Sequence, residues 1–262
     1  MNLQKQQRKA EKALAKALKA QRKNPEQVIP LPVVQPQPLN LTPTPRIDII
    51  KKPKNSSPMS FVLGNGRSRL NIDCERLLSI GTVYGCNAQY REFAPHYLVA
   101  VDVKMVNEII AAGYHKQQEV WTNPNKGITT KDRINFFNPH KGWSSGPTAL
   151  WFAASQGAGE IYILGFDYQG LNGKFNNVYA DTFNYKKSTD SATYHGNWLS
   201  QTEKVIKEFR HIKFFRVIEP GAFIPDKLGP NLANLSHISV EDFGKRFPDT
   251  IYSDQIVQKS TI

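Results

Sequence analysis

The sequence predicts an α/β domain on a mostly parallel β-sheet with helices on both faces, carried behind a basic, proline-rich arm. Three observations point there. Apolar runs such as "MSFVL", "YLVAV" and "EIYIL" are short and continuous, not alternating, as buried parallel strands require. Helix-like stretches separate them, which is the order of an α/β domain. The charge is also lopsided. Residues 1–60 hold 12 Lys or Arg against 3 Asp or Glu, a net of +9, whereas residues 61–262 hold 22 against 19, a net of +3.

The arm divides in two. Residues 1–24 are rich in Ala, Lys and Gln, with Ala10, Leu14, Ala17 and Leu18 at helical spacing on a thin apolar stripe. Residues 25–58 carry nine prolines and read as an extended tether without a core of its own. Such a basic arm suits an anionic neighbour through residues 1–58, DNA or an acidic protein surface, or serves only to solubilise the chain. Residues 59–262 are long enough to bury a core of their own.

Within them, "MSFVLGNG" reads as a strand and turn, "GTVYGCNA" as a strand ending at Asn87, and Tyr97–Val101 as a strand ending at Asp102. A helix is expected over Val103–Ala112, a strand at "EVWTN", and a helix over Gly146–Ala158 with Pro147 in its first turn. "EIYILGFDY" is the most strand-like run; "LSQTEKVIKEFR" is amphipathic and helical, and "IKFFRVI" closes the series. No apolar run approaches the about 20 residues needed to cross a bilayer, and the amino terminus lacks the apolar core and cleavage region of a signal peptide, so a cytoplasmic location is expected. Cys74 and Cys86 are too few for a disulfide framework or a four-cysteine zinc site and are expected to be reduced and partly buried.

Ligands of open α/β sheets lie beyond the carboxyl ends of strands, so residues just after each apolar run are the candidates. Gly64 and Gly66 let the backbone approach a phosphate, with Asn65 between them as a hydrogen-bonding group, or they form only a tight turn. "GNGRSR" lacks the third glycine of the dinucleotide fingerprint and the Gly-Lys-Ser/Thr ending of a P-loop. Arg67 and Arg69 add charge beside that turn. Asn87 contacts a ligand or caps the next turn. Asp102 and Asp167 bind ribose hydroxyls or Mg2+, or cap helices. Ser144, Ser145 and Gly146, ahead of a helix, resemble an amino-terminal anion site, with ordinary capping as the competing reading. His195, in "TYHGNW", is of the type that exchanges protons near neutral pH. The histidines are scattered without ligand spacing, so no metal site is expected.

In order along the chain, "GNGRS", "YGCNAQY", "SSGPTALWFAASQGAGEIYILGFDY", "HGNWLSQTEKVIKEF" and "IKFFRVIEPGAF" resemble the bacterial sialyltransferases of glycosyltransferase family 42 and related phage and lipopolysaccharide-region proteins. The resemblance spans about residues 60–225. It implies a Rossmann-like fold and a CMP-linked sugar donor used without an essential metal, with a glycan as acceptor; the basic arm adds modified DNA as a second candidate acceptor. By position it implies nucleotide contacts at Gly64, Asn65, Gly66 and Asn87, donor contacts at Ser144, Ser145 and Gly146, and a general base at His195. The family's tyrosine pair, which assists the leaving phosphate, is displaced here. The first position falls at Gln169, one after Tyr168, and the second near Phe175, with Tyr179 close by. The segment 170–194 is where the resemblance puts acceptor selection. The alternative is a phage structural or virion-associated protein that keeps the fold without catalysis and joins an assembly through its arm.

Overall fold

The computed structural model describes residues 59–252; the expectations for the arm, residues 1–24 and 25–58, lie outside them. Eight strands form one sheet in the order β5-β4-β3-β2-β1-β6-β7-β8, and every neighbouring pair is parallel. They are β1 (Met59–Leu63), β2 (Thr82–Cys86), β3 (Tyr97–Val99), β4 (Val120–Thr122), β5 (Ile134–Phe136), β6 (Glu160–Leu164), β7 (Lys213–Ile218) and β8 (Leu235–Ser239). The helices are α1 (Val103–Ala111), α2 (Ser145–Ser155), α3 (Gly196–Glu208) and α4 (Val240–Arg246).

Both faces of the sheet are buried, which is why its central strands read as unbroken apolar runs. Along β1, Phe61 and Leu63 join a core with Tyr162, Leu164, Phe243 and Phe247, while Val62 points the other way into a core with Leu150, Phe152 and Val205. Tyr162 and Leu164 of β6 repeat the pattern, opposite Ile161 and Ile163. α2 is apolar nearly all round, with Ala149, Leu150, Phe152 and Ala153 all buried, because it lies between the sheet and α3. α1, by contrast, shows one buried stripe, Met105, Val106 and Ile109, over β3 and β4.

The strand order fixes where a ligand can sit. The chain runs outward from β1 to β5, returns over the sheet through α2, and starts again outward from β6, which pairs with β1. That reversal opens a crevice between the carboxyl ends of β1 and β6. The two turns there interlock: Gly64 N donates to Leu164 O at 2.8 Å and Gly66 N to Gly165 O at 2.9 Å. A Cβ on Gly64 would lie 2.5 Å from Gly165 O, and one on Gly165, whose φ is +67°, 2.8 Å from Gly64 O. Only two glycines let the backbones meet so closely.

Several boundaries differ from the sequence expectation. The third strand stops at Val99, and α3 begins at Gly196, ahead of the expected "LSQTEKVIKEFR", so His195 is its N-cap residue. β5, β8 and α4 were not anticipated. Cys74 and Cys86 are both free and wholly buried, and burial pushes their thiols up to about 11 and about 12.

Candidate functional site

A cavity of about 730 Å3 opens over the β1/β6 crevice. Gly64–Gly66 and Gly165–Asp167, at the ends of β1 and β6, line it. One wall is the amino terminus of α2 with Ser144, Ser145 and Gly146; another is the start of α3 with His195 and Trp198; the 169–194 segment supplies Phe175, Asn176 and Tyr185. Nine of the ten candidates for catalysis or donor binding line it: Gly64, Asn65, Gly66, Asn87, Ser144, Ser145, Gly146, Tyr168 and His195.

Tyr179 is not among the lining residues. It is buried, and its hydroxyl accepts from Arg69 Nη2 at 3.0 Å. Arg69 forks onto Glu92 at 3.0 and 3.1 Å and donates through Nε to Gly64 O at 2.9 Å, so this arginine braces the β1 turn from below. Burial opposes its charge, but Cys74 and Glu92 outweigh that and hold the guanidinium above its ordinary value. Arg67, by contrast, is exposed, and its backbone N–H donates to Asn176 Oδ1. Tyr168 is a buried lining residue, with the Arg216 guanidinium 5.2 Å from its ring centroid. Its hydroxyl donates to Thr202 Oγ1 at 2.7 Å, and burial raises its pKa.

Asn65 and Asn87 carry the unmet hydrogen-bonding capacity. Asn65 Nδ2 donates to the Tyr185 hydroxyl at 3.2 Å, while Asn65 Oδ1 and Asn87 Oδ1 are buried without a partner. Buried polar atoms are nearly always paired, so these two acceptors on cavity-lining residues have capacity left for an ordered water or a donor-bearing ligand. Asn87 takes a left-handed φ of +55°, which asparagine tolerates better than most residues. Ser145 Oγ accepts from Val101 N at 3.1 Å and so ties α2 to the end of β3. Ser144 N donates to Gln201 Oε1, and its side chain makes no capping bond, which leaves the amides of the first turn to the cavity wall.

The two strand-end aspartates take structural roles. Asp102 caps α1, accepting from Lys104 N at 2.9 Å. Asp167 accepts from Ser68 Oγ at 2.5 Å, Ser68 N at 3.2 Å and Asn176 Nδ2 at 2.9 Å, which locks the β1 and β6 turns and the 169–194 segment together. Among the described residues no group of three or more His, Cys, Asp or Glu stands ready to hold a metal ion.

Sequence reasoning missed Tyr185, Trp143, Trp198 and Arg216. Tyr185 sits mid-segment with no strand or helix pattern to flag it, yet its hydroxyl joins Asn65 and Ala88 N. Arg216 is buried inside β7 and donates to Phe166 O, Asp167 O and Phe223 O, fixing the β6 turn. A charged residue in the middle of "FFRVI" was its one available signal.

Two solved structures resemble this chain. Sialyltransferase CstII from Campylobacter jejuni, in complex with the substrate analogue cytidine-5'-monophosphate, matches with 18% identity over 68% of this chain and 87% of that one, at a TM-score of 0.44. A point mutant of the α-2,3/8-sialyltransferase CstII matches with 16% identity over 72% of this chain and 99% of that one, at a TM-score of 0.39. No protein-family model and no curated protein matches the chain. No helix among the described residues is long and apolar enough to cross a membrane.

Proposed function

We propose that this protein is a glycosyltransferase that takes a sugar from a nucleotide-linked donor, with CMP as the nucleotide expected from the motif resemblance, and passes it to an acceptor hydroxyl. One observation carries the reading. Residues from five separate sequence stretches line one cavity at the strand reversal, and the two asparagines among them hold unpaired buried acceptors.

In this reading Asn65 and Asn87 accept from the nucleotide's amino or hydroxyl groups, and the first turn of α2 faces its phosphate. His195 takes the proton of the acceptor hydroxyl as that oxygen bonds to the anomeric carbon. The bond from that carbon to the phosphate oxygen breaks, and its electron pair leaves with the nucleotide monophosphate. Tyr168 is a wall residue here, because its hydroxyl proton is engaged by Thr202.

Calorimetric titration of the full-length chain with CMP, UMP, GMP and their sugar conjugates tests this, beside turnover by His195→Ala. Expected are selective binding of one nucleotide, retained by His195→Ala, and loss of transfer in that variant. A folded protein that binds none of them overturns the proposal; unchanged turnover overturns the role of His195.

A further inference from the structure

A second cavity, of about 400 Å3, opens beyond the carboxyl end of β7, lined by the loop from Glu219 to Ala222 and by the stretch that starts at Arg67. Its chemistry turns on a contrast between two buried arginines, Arg69 and Arg216, which are 3% and 2% exposed. Arg69 has a carboxylate: it forks onto Glu92, and its guanidinium is held above the ordinary value. Arg216, which lines the second cavity, has none. Among the described residues it makes no ion pair, and its three hydrogen bonds, at 2.9, 3.1 and 3.1 Å, all go to main-chain oxygens, those of Phe166, Phe223 and Asp167. Burial accordingly lowers its pKa. Each terminal nitrogen uses one of its two hydrogens, so two N–H groups remain. A buried charge without a counter-ion is costly, and beside a cavity it is placed to recruit an anion.

Arg67 supplies a second cation to the same lining. It is exposed, and among the described residues its guanidinium makes no hydrogen bond and no ion pair. The acids that line the cavity do not cancel the two arginines. The Asp167 carboxylate is occupied by Ser68 and Asn176. Glu219 pairs with neither arginine; burial and the Asp167 charge raise its pKa, so it keeps its proton to higher pH than an ordinary glutamate. The two acids do restrict a ligand to a single negative charge. The rest of the wall is apolar, with Leu70 and Leu171 47% and 52% exposed beside Ile218 and Pro220. A carboxylate matches a guanidinium fork, and an apolar body matches that wall.

We propose that this cavity binds a small organic monocarboxylate, its carboxylate between Arg67 and Arg216 and its apolar body against Leu70 and Leu171. The site is independent of the transferase reading, because none of these four residues lines the first cavity.

The test is calorimetry, with NMR of the arginine Nε groups, on the full-length chain, using hexanoate and benzoate as probes and hexanamide and inorganic phosphate as comparators. Expected are saturable binding of a carboxylate with a shift of the Arg216 Nε resonance, about tenfold weaker binding in Arg67→Gln, and weaker binding in Leu171→Ser. Hexanamide and phosphate are each expected to bind at least about tenfold more weakly than the carboxylate. Both substitutions fall on exposed residues, so folding is retained, which a thermal melt verifies. Hexanamide binding as tightly as hexanoate overturns the proposal in favour of an apolar groove, and phosphate binding more tightly overturns it in favour of an inorganic-anion site. Affinity unchanged in Arg67→Gln, or no binding of either carboxylate by folded protein, overturns it outright. CMP is expected to bind both variants as it binds the unaltered chain, so failure of this site and failure of the donor reading are read separately.

Discussion

Replacing Gly66 with alanine isolates the contact that locks the cavity floor. The backbone there has φ −69° and ψ 150°, which alanine adopts without strain, so the whole effect is steric. A Cβ would lie 2.5 and 2.6 Å from the two carboxylate oxygens of Asp167, about 1 Å inside ordinary contact. To relieve that clash the carboxylate must leave Ser68 and Asn176, from which it accepts three hydrogen bonds. Overpacking costs about 1–3 kcal/mol and each hydrogen bond to a charged group about 1.5–3 kcal/mol, so a loss of about 3 kcal/mol is expected if the carboxylate keeps part of its contacts. For a domain of this size that lowers the thermal midpoint by roughly 6–12 °C. The discriminating assay is a double-mutant cycle by urea unfolding. Asp167→Ala alone removes all three hydrogen bonds and costs about 4–5 kcal/mol, but in that background Gly66→Ala has no carboxylate to strike and costs under about 0.5 kcal/mol. Additive losses would refute the steric account, since the two residues would then act independently.

Three further outcomes follow from the same geometry. Arg69→Met strips Glu92, Gly64 O and Tyr179 of their donor and is expected to lower stability by about 3 kcal/mol in urea unfolding; the figure sits at the low end for a broken buried pair because Glu92 is 40% exposed. Asn87→Gly keeps the left-handed φ and deletes an acceptor that has no partner within the chain, so stability stays level or rises while nucleotide affinity falls about tenfold by calorimetry. Burial lowers the pKa of His96, whose Nδ1 accepts from Val83 N. The unfolded chain then takes up the proton first, so stability is full above the ordinary histidine value of about 6.5 and declines as pH falls below it. Thermal melts of His96→Gln across that range should show a flatter acid limb.

The sequence made the central sheet legible and its margins obscure, and burial explains the division. β1 and β6 are covered on both faces and read as unbroken apolar runs. β5 and β8 are edge strands, only partly buried, and "LSHIS" offers nothing apolar enough to mark a strand. α4 did carry a signal: Ser239 accepts from Asp242 N at 2.9 Å, a capping pattern written in the sequence as Ser-Val-Glu-Asp ahead of Phe243 and Phe247. For the site, positions after strands were readable because the strand reversal gathers them. Tyr185 and Arg216 were not, since neither follows a strand end and each works through tertiary contacts.

That contrast also says where specificity must come from. Gly64 and Gly165 bring two main chains into contact, and the Asp167 carboxylate is consumed in joining the turns. The carbonyls of Gly64, Asn65, Gly165, Phe166 and Asp167 are likewise spent, on Arg69, Val178, Gly66 and Arg216. Discrimination between ligands then falls to what surrounds these turns, Asn65 and Asn87 with their unpaired oxygens among them. Arg69 and Asp167 brace the β1 turn, while Gln201 and Thr202 join α3 to Ser144 at the start of α2 and to Tyr168 in the β6 turn. One network therefore supports the whole cavity, and Gln201→Ala should weaken nucleotide binding by calorimetry although Gln201 stands on α3.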